Sequence, residues 1–163
     1  MNSKDALFQE WYRDYAPGLR NFLFRIAGAS PLDDLVQETF LKVWRAMDGF
    51  DGRAQPRTWI YRIAHNTAMD RFRQKWPDPS DEIESLVGAT EPRPELADLI
   101  AKGVGVLSET LRPAFVLHYQ LEFSVAEIAG ILDVPEGTVK TRLKAAREKF
   151  IEFLRQNGVE HEF

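Results

Sequence analysis

Two groups of side chains in this sequence have the chemistry to hold nucleic acid. Along FSVAEIAGILDVPEGTVKTRLKAAREKF, Phe123 to Phe150, Lys140, Thr141, Lys144 and Arg147 face away from an apolar stripe of Val139, Leu143, Ala146 and Phe150. Ammonium, guanidinium and hydroxyl groups on one helix face match phosphates and base edges. In the stretch from Arg57 to Gln74, Arg62, His65, Asn66, Met69 and Arg73 fall within a sector of about 100° at the helical 100° per residue. They lie opposite Ile60, Ile63, Ala64, Thr67 and Ala68, with Trp59 at the flank, which suits phosphates and unstacked bases. A solvated polar face fits that second pattern too. A third group, Asp33, Asp34 and Glu38, shares a helix face. With no further acidic ligands nearby, it fits a cationic partner better than a metal. Reaction chemistry is missing: there is no phosphate-cradling glycine loop, no nucleophile motif and no paired histidines. His65, His118 and His161 sit on separate elements, and the absence of cysteine removes thiolate chemistry and disulfides.

The elements that must position these groups are helices. Ser124 and Glu127 form a capping box ahead of an apolar run that ends near Leu132. Asp133-Val134-Pro135 interrupts the run, because proline pushes its predecessor out of helical geometry. A second helix starts near Glu136. Two short helices joined by a tight turn, the second basic on its free face, form the pattern of a DNA-reading helix-turn-helix. The same pattern fits an ordinary helical hairpin with a charged, solvated face.

Upstream, Phe8, Trp11 or Tyr12, Tyr15, Leu19, Phe22, Leu23 and Ile26 keep helical spacing as far as Gly28, with Pro17-Gly18 placed to kink or interrupt that helix. Ser30-Pro31-Leu32-Asp33 restarts the chain: serine at the cap, proline at the first helical position. This second helix runs to about Met47, with Val36, Phe40, Val43 or Trp44, and Met47 on its core side. A loop from Asp48 to Gln55 precedes Pro56 and the third helix. Trp59 and Tyr61, taken singly, are better core or rim residues than base-stackers. From Trp76 to Glu95, four prolines and six acids mark an extended linker. Leu96, Leu99, Ile100 and Val104 then open another helix. One more runs from about Glu109 to Glu122, with Pro113 in its first turn and Leu111, Ala114, Phe115, Leu117, His118 and Leu121 on its apolar side. The tail Gln156–Phe163 is expected to fray.

The expected fold class is therefore all-α. Two small helical domains, 1–75 and 96–163, are joined by an acidic proline-rich linker, 76–95, and the C-terminal domain carries the helix-turn-helix. At 163 residues and 44% hydrophobic content, the chain can fill real cores. No stretch has the length of a membrane span or the apolar core of a signal peptide, so a soluble cytoplasmic protein is expected. The net charge of −4 is unevenly spread. Residues 57–75 carry +4 and 135–150 carry +3, while 76–95 carry −5. Two basic segments on an acidic background can neutralise phosphates locally, but they are thin for unaided DNA binding.

In this order the features resemble the small two-domain extracytoplasmic-function class of the sigma-70 family, over nearly the whole chain. DDLVQETFLKVW (Asp33–Trp44) is similar to the helix that such factors dock on the clamp coiled coil of RNA polymerase core. The resemblance implies Asp33, Asp34, Gln37, Glu38 and Lys42 as docking residues. FDGRAQPRTWIYRIAHNTAMDRFR (Phe50–Arg73) resembles the segment that melts and reads the minus-10 promoter element. The implied contacts are Phe50, Arg53, Gln55, Arg57, Trp59, Arg62, His65, Asn66 and Arg73, with the Asp48–Gln55 loop capturing a flipped base. SVAEIAGILDVPEGTVKTRLKAAR (Ser124–Arg147) is similar to the minus-35 reader, implying Glu136, Thr138, Lys140, Thr141, Arg142, Lys144 and Arg147. The resemblance further implies promoter DNA, the polymerase clamp and flap, and an anti-sigma factor as partners, with no cofactor and no catalysis. The acidic linker would thread the polymerase cleft. Two positions depart from the family pattern: Gln55-Pro56 stand where serine and phenylalanine are common, and Ala145 where arginine is common. A self-sufficient DNA-binding regulator and a protein-sequestering module remain alternatives at this point.

Overall fold

Among the described residues of the computed structural model, 2–74 and 94–159, the chain is helical and contains no strand. The linker expectations at 76–93 and the last four residues of the tail lie outside them. The first helix, α1, spans Ser3–Ala27. The Asn2 side chain accepts from the Lys4 amide at its start, and Gly28 ends it at φ 83°, donating its N–H to the Phe24 carbonyl. Of the kink or interruption for which Pro17-Gly18 is placed, no interruption occurs: α1 is continuous through both residues. Gly18 serves packing instead: a Cβ there would lie 2.5 Å from the Tyr61 hydroxyl, so the bare backbone lets a neighbouring helix close in.

The second helix, α2, spans Leu32–Ala46 and continues as a 3-10 turn over Met47–Gly49. It begins one residue later than the sequence suggests, and no side chain caps it; Asp33 and Asp34 in its first turn meet the positive helix end instead. The third, α3, occupies Pro56–Gln74, opening on Pro56 as its fixed φ favours. The next helix, α4, covers Pro94–Gly105, so its opening proline takes two residues from the expected linker. The expected helix from Glu109 starts at Leu111 and is not uniform. A short α5, Leu111–Phe115, passes into a π turn over Val116–Gln120. Then α6, Val125–Leu132, carries the expected capping box with both hydrogen bonds at 3.1 Å. Those bonds hold the Glu127 carboxyl below its usual range. Asp133, left-handed at φ 55°, turns the chain into α7, Glu136–Gln156.

The first three helices pack around Leu19, Phe22, Leu23, Leu35, Val43, Ile60 and Ala64, all essentially inaccessible to solvent. The later helices pack around Val104, Leu107, Leu117, Ile128, Ile131 and Val139. Phe150, expected in the α7 stripe, is only half-buried, stacking on Phe115 at 4.9 Å. The two cores are continuous, joined through Tyr61 and Phe123, whose rings meet edge to face at 5.0 Å. Arg112 stitches the C-terminal half together. Its guanidinium donates to the carbonyls of Val104, Gly105 and Leu107 at 2.7–3.2 Å, tying α5 to the end of α4 and the turn after it. Burial lowers its pKa without threatening a charge held so far above neutrality.

Candidate nucleic-acid interface

The three groups of sequence-selected residues land on three different surfaces. On α2, Asp33, Asp34 and Gln37 are exposed, with Glu38 and Lys42 half-buried beside them. Its carboxylates are not bare. Arg20 of α1 reaches Asp33 at 2.7 Å, Arg71 of α3 reaches Asp34 at 3.4 Å, and Lys42 pairs with Glu38 at 3.4 Å. Sequence spacing had no means of finding Arg20 or Arg71, because both pairs depend on helix packing rather than on a local repeat. At such exposure these bridges contribute little and leave the acids available to a partner.

The minus-10 set divides. Phe50 and Trp59 are half-buried and packed together at 5.0 Å, each also against Trp11, so they form a wall behind the Asp48–Gln55 loop. Arg53 and Gln55 are exposed at that loop, Arg53 bridging to Asp51 at 3.1 Å. Asn66 and Arg73 are exposed on α3, with Arg73 close to Asp70 at 3.5 Å. Arg57, Arg62 and His65 turn toward the C-terminal half. Arg57 Nη2 donates to the Leu121 carbonyl at 2.6 Å, and its guanidinium lies 3.9 Å from the Phe123 ring centre. Arg62 stands 3.9 Å from Asp133. His65 is held neutral: burial lowers its pKa, the neighbouring Asn66 opposes the shift, and the charge of Arg142 adds to it.

The minus-35 set lies on α7, where the buried stripe is Val139, Leu143 and Ala146. Lys140, Thr141 and Lys144 are exposed and point away from it, within about 100° of one another on the helical wheel. Thr141 rests its hydroxyl on the Gly137 carbonyl at 3.0 Å. Glu136 is exposed at the first turn, whereas Thr138 and Arg142 are half-buried on the flank toward α3. Arg147, on the other flank, lines a cavity of about 530 Å³ with Asn21, Arg25, Tyr119 and Leu154. By exposure the seven candidates divide into five that are open to solvent, Glu136, Lys140, Thr141, Lys144 and Arg147, and two that are half-buried, Thr138 and Arg142. Among the described residues, no cluster of histidine and acidic side chains could hold a metal ion, and no helix is long and apolar enough to cross a membrane.

Comparison with known proteins gives this arrangement a family. The model of sigma-70 region 2 matches residues 11–77, and that of sigma-70 region 4 matches 98–150. The ECF RNA polymerase sigma factor SigW of Bacillus subtilis is 30% identical over 93% of this chain and 84% of its own length. The ECF RNA polymerase sigma-E factor of Escherichia coli K12 is 32% identical over 82% of this chain and 79% of its own. Among solved structures, the sigma factor RpoE of Bartonella quintana, in complex with the anti-sigma factor NepR, is 28% identical. It aligns with 91% of this chain and 96% of its own at a TM-score of 0.76. The chain belongs to the sigma-70 family, among its extracytoplasmic-function members. It is accordingly a transcription initiation factor that directs RNA polymerase to promoters, and it is not an enzyme.

Proposed function

We propose that this factor reads a two-part promoter with the surfaces described above, working in the cytoplasm on polymerase that supplies most of the DNA affinity. The observation that carries this reading is the outward face of α7, Lys140, Thr141 and Lys144, presented by a capped helix-turn-helix. This face supports minus-35 recognition, with Glu136, Thr138, Arg142 and Arg147 as flanking contacts. The loop ahead of α3, with Arg53, Gln55 and the Phe50–Trp59 wall, supports capture of an unstacked minus-10 base. Arg57, Arg62, His65, Asn66 and Arg73 serve the same strand. Residues 1–75 form the docking and melting unit, 96–163 the minus-35 unit placed near the polymerase flap, and the acidic 76–95 the connection through the cleft. The complex of the Bartonella relative supports an anti-sigma partner for this chain.

The test is run-off transcription with purified protein and polymerase core on a genomic promoter pool. Specific transcripts support the reading, and their absence sinks it. A gel shift with and without core separates it from a self-sufficient regulator, which would bind duplex DNA tightly alone. The acidic face of α2 supports docking on a basic clamp helix. Asp34→Arg is expected to weaken core binding about tenfold or more through like-charge repulsion, at a cost in stability of only about 1 kcal/mol for the lost helix-end charge and the Arg71 bridge. Equal affinity of the variant and the parent for core in a titration would move the docking site elsewhere.

A further inference from the structure

Besides meeting at the seam of Tyr61 and Phe123, the two halves frame a cavity of about 530 Å³. That volume is in the range of pockets that hold small molecules. Its walls come from four elements. Arg25 reaches it from α1, Ile100 from α4 and Gln120 from the π turn, while α7 supplies Arg147, Ile151 and Leu154 at spacings of four and three. This second stripe of α7 runs beside the one formed by Val139, Leu143 and Ala146. Close packing fixes the far wall. Gly103 of α4 lies so near α7 that a Cβ there would meet the Phe150 ring at 2.5 Å, and Phe150 stacks on Phe115 at 4.9 Å. A pocket whose walls are already ordered loses little entropy when it is filled.

Three polar groups give this space its chemistry. Arg25 is 4% exposed, Arg147 is exposed at the rim, and no acidic side chain is among the described residues that line the cavity. Gln120 Oε1 is buried and accepts no hydrogen bond among the described residues. A buried acceptor without a donor is costly and uncommon in a folded protein. Guanidinium groups select a carboxylate, apolar walls select a hydrocarbon body, and the lone acceptor selects a hydroxyl. We propose that the cavity binds a small amphipathic carboxylate of the hydroxy fatty acid class. Its head lies at Arg147 and Arg25, its chain along Ile100 and Leu154, and its hydroxyl donates to Gln120 Oε1.

The inference stands apart from the promoter reading, and its test needs neither polymerase nor DNA. Isothermal titration of the full chain with dodecanoate, kept below its micelle concentration, is expected to show a single site. Dodecyltrimethylammonium, the same chain with a cationic head, is expected not to bind. Among dodecanoates hydroxylated at different carbons, at least one is expected to bind about fivefold tighter than dodecanoate, because it satisfies the buried acceptor. Ile151→Trp fills the cavity from a half-buried position, and Arg147→Glu reverses the charge at its rim. Each should weaken dodecanoate binding about tenfold or more. Gln120→Leu should leave dodecanoate binding unchanged and erase the preference for the hydroxylated chain. Thermal unfolding of each variant without ligand controls for folding. Absence of dodecanoate binding, equal affinity for the cationic chain, or unchanged affinity in either Ile151→Trp or Arg147→Glu overturns the site. If no hydroxylated chain binds tighter, or if the preference survives Gln120→Leu, the assignment of the hydroxyl to Gln120 is wrong.

Discussion

Lys140→Ala combined with Lys144→Ala is expected to abolish transcription that depends on a minus-35 element while leaving the protein folded. Both side chains are exposed on the outward face of α7, opposite Val139, Leu143 and Ala146, so their loss disturbs no core contact. A lost base or phosphate contact costs about 1–3 kcal/mol. The pair together costs about 2–6 kcal/mol, or roughly thirtyfold and upward in occupancy. The salt dependence of binding should also flatten, by about one unit of slope for each phosphate contact removed. The measurement is run-off yield on matched promoters with and without the minus-35 element, together with its variation with salt. Lys149→Ala is the control, because that side chain lies on the same helix away from the outward face. An equal loss on both promoters, or no loss on either, would remove α7 as the reading helix.

Phe123→Ala is expected to have the largest effect on stability. Phe123 is 1% exposed, its N–H donates to the Leu117 carbonyl at 2.9 Å, and its own carbonyl lies 2.9 Å from His118 Nδ1. Its ring fills the space between Tyr61 and the Arg57 guanidinium, so truncation leaves a cavity between the halves and strips the Arg57 charge of its aromatic cover. Buried phenylalanine-to-alanine changes cost about 3–5 kcal/mol. For a chain of this size that corresponds to a drop of roughly 6–20 °C in Tm. Phe123→Leu keeps most of the volume and should recover all but about 1.5 kcal/mol of the loss. Urea and thermal unfolding of both variants measure the difference. A loss under about 1 kcal/mol for the alanine variant would show that the seam contributes little to holding the fold.

The helices were legible where local rules suffice. Ser124 and Glu127 announce α6 because a capping box is complete within four residues, and Pro135 ends the turn because its ring fixes the backbone. The α7 stripe followed from periodicity, since Val139, Leu143 and Ala146 repeat as a helix buries them. Family resemblance went further than periodicity and supplied the division of labour along the chain. Contacts between distant segments were not legible. Gly18 read as a possible break because its reason lies 43 positions away, at the Tyr61 hydroxyl. The ion pairs of Arg20 and Arg71 with the α2 acids were hidden for the same cause. The helical wheel of α3 placed Arg62 and His65 on a solvent face; Arg62 is exposed, but His65 is half-buried, since the wheel has no knowledge of the second half folding back. Ala145, where the resemblance implies arginine, is half-buried on α7.

The π turn over Val116–Gln120 bears on how this chain can change length. The Leu121 amide bonds back to the Val116 carbonyl, five residues away, so this turn holds one residue more than an α-helical turn would. Just beyond it, Glu122, at φ 60°, turns the chain so that Phe123 meets Tyr61. Deleting a residue here would let the turn close to α-helical geometry while the chain downstream kept its direction, because the widened turn is what absorbs the extra residue. An insertion in the Asp48–Gln55 loop, likewise, could be absorbed at the surface. The wide turn therefore holds one residue of slack: a chain shorter by one here, like one longer in the loop, could still bring Phe123 against Tyr61.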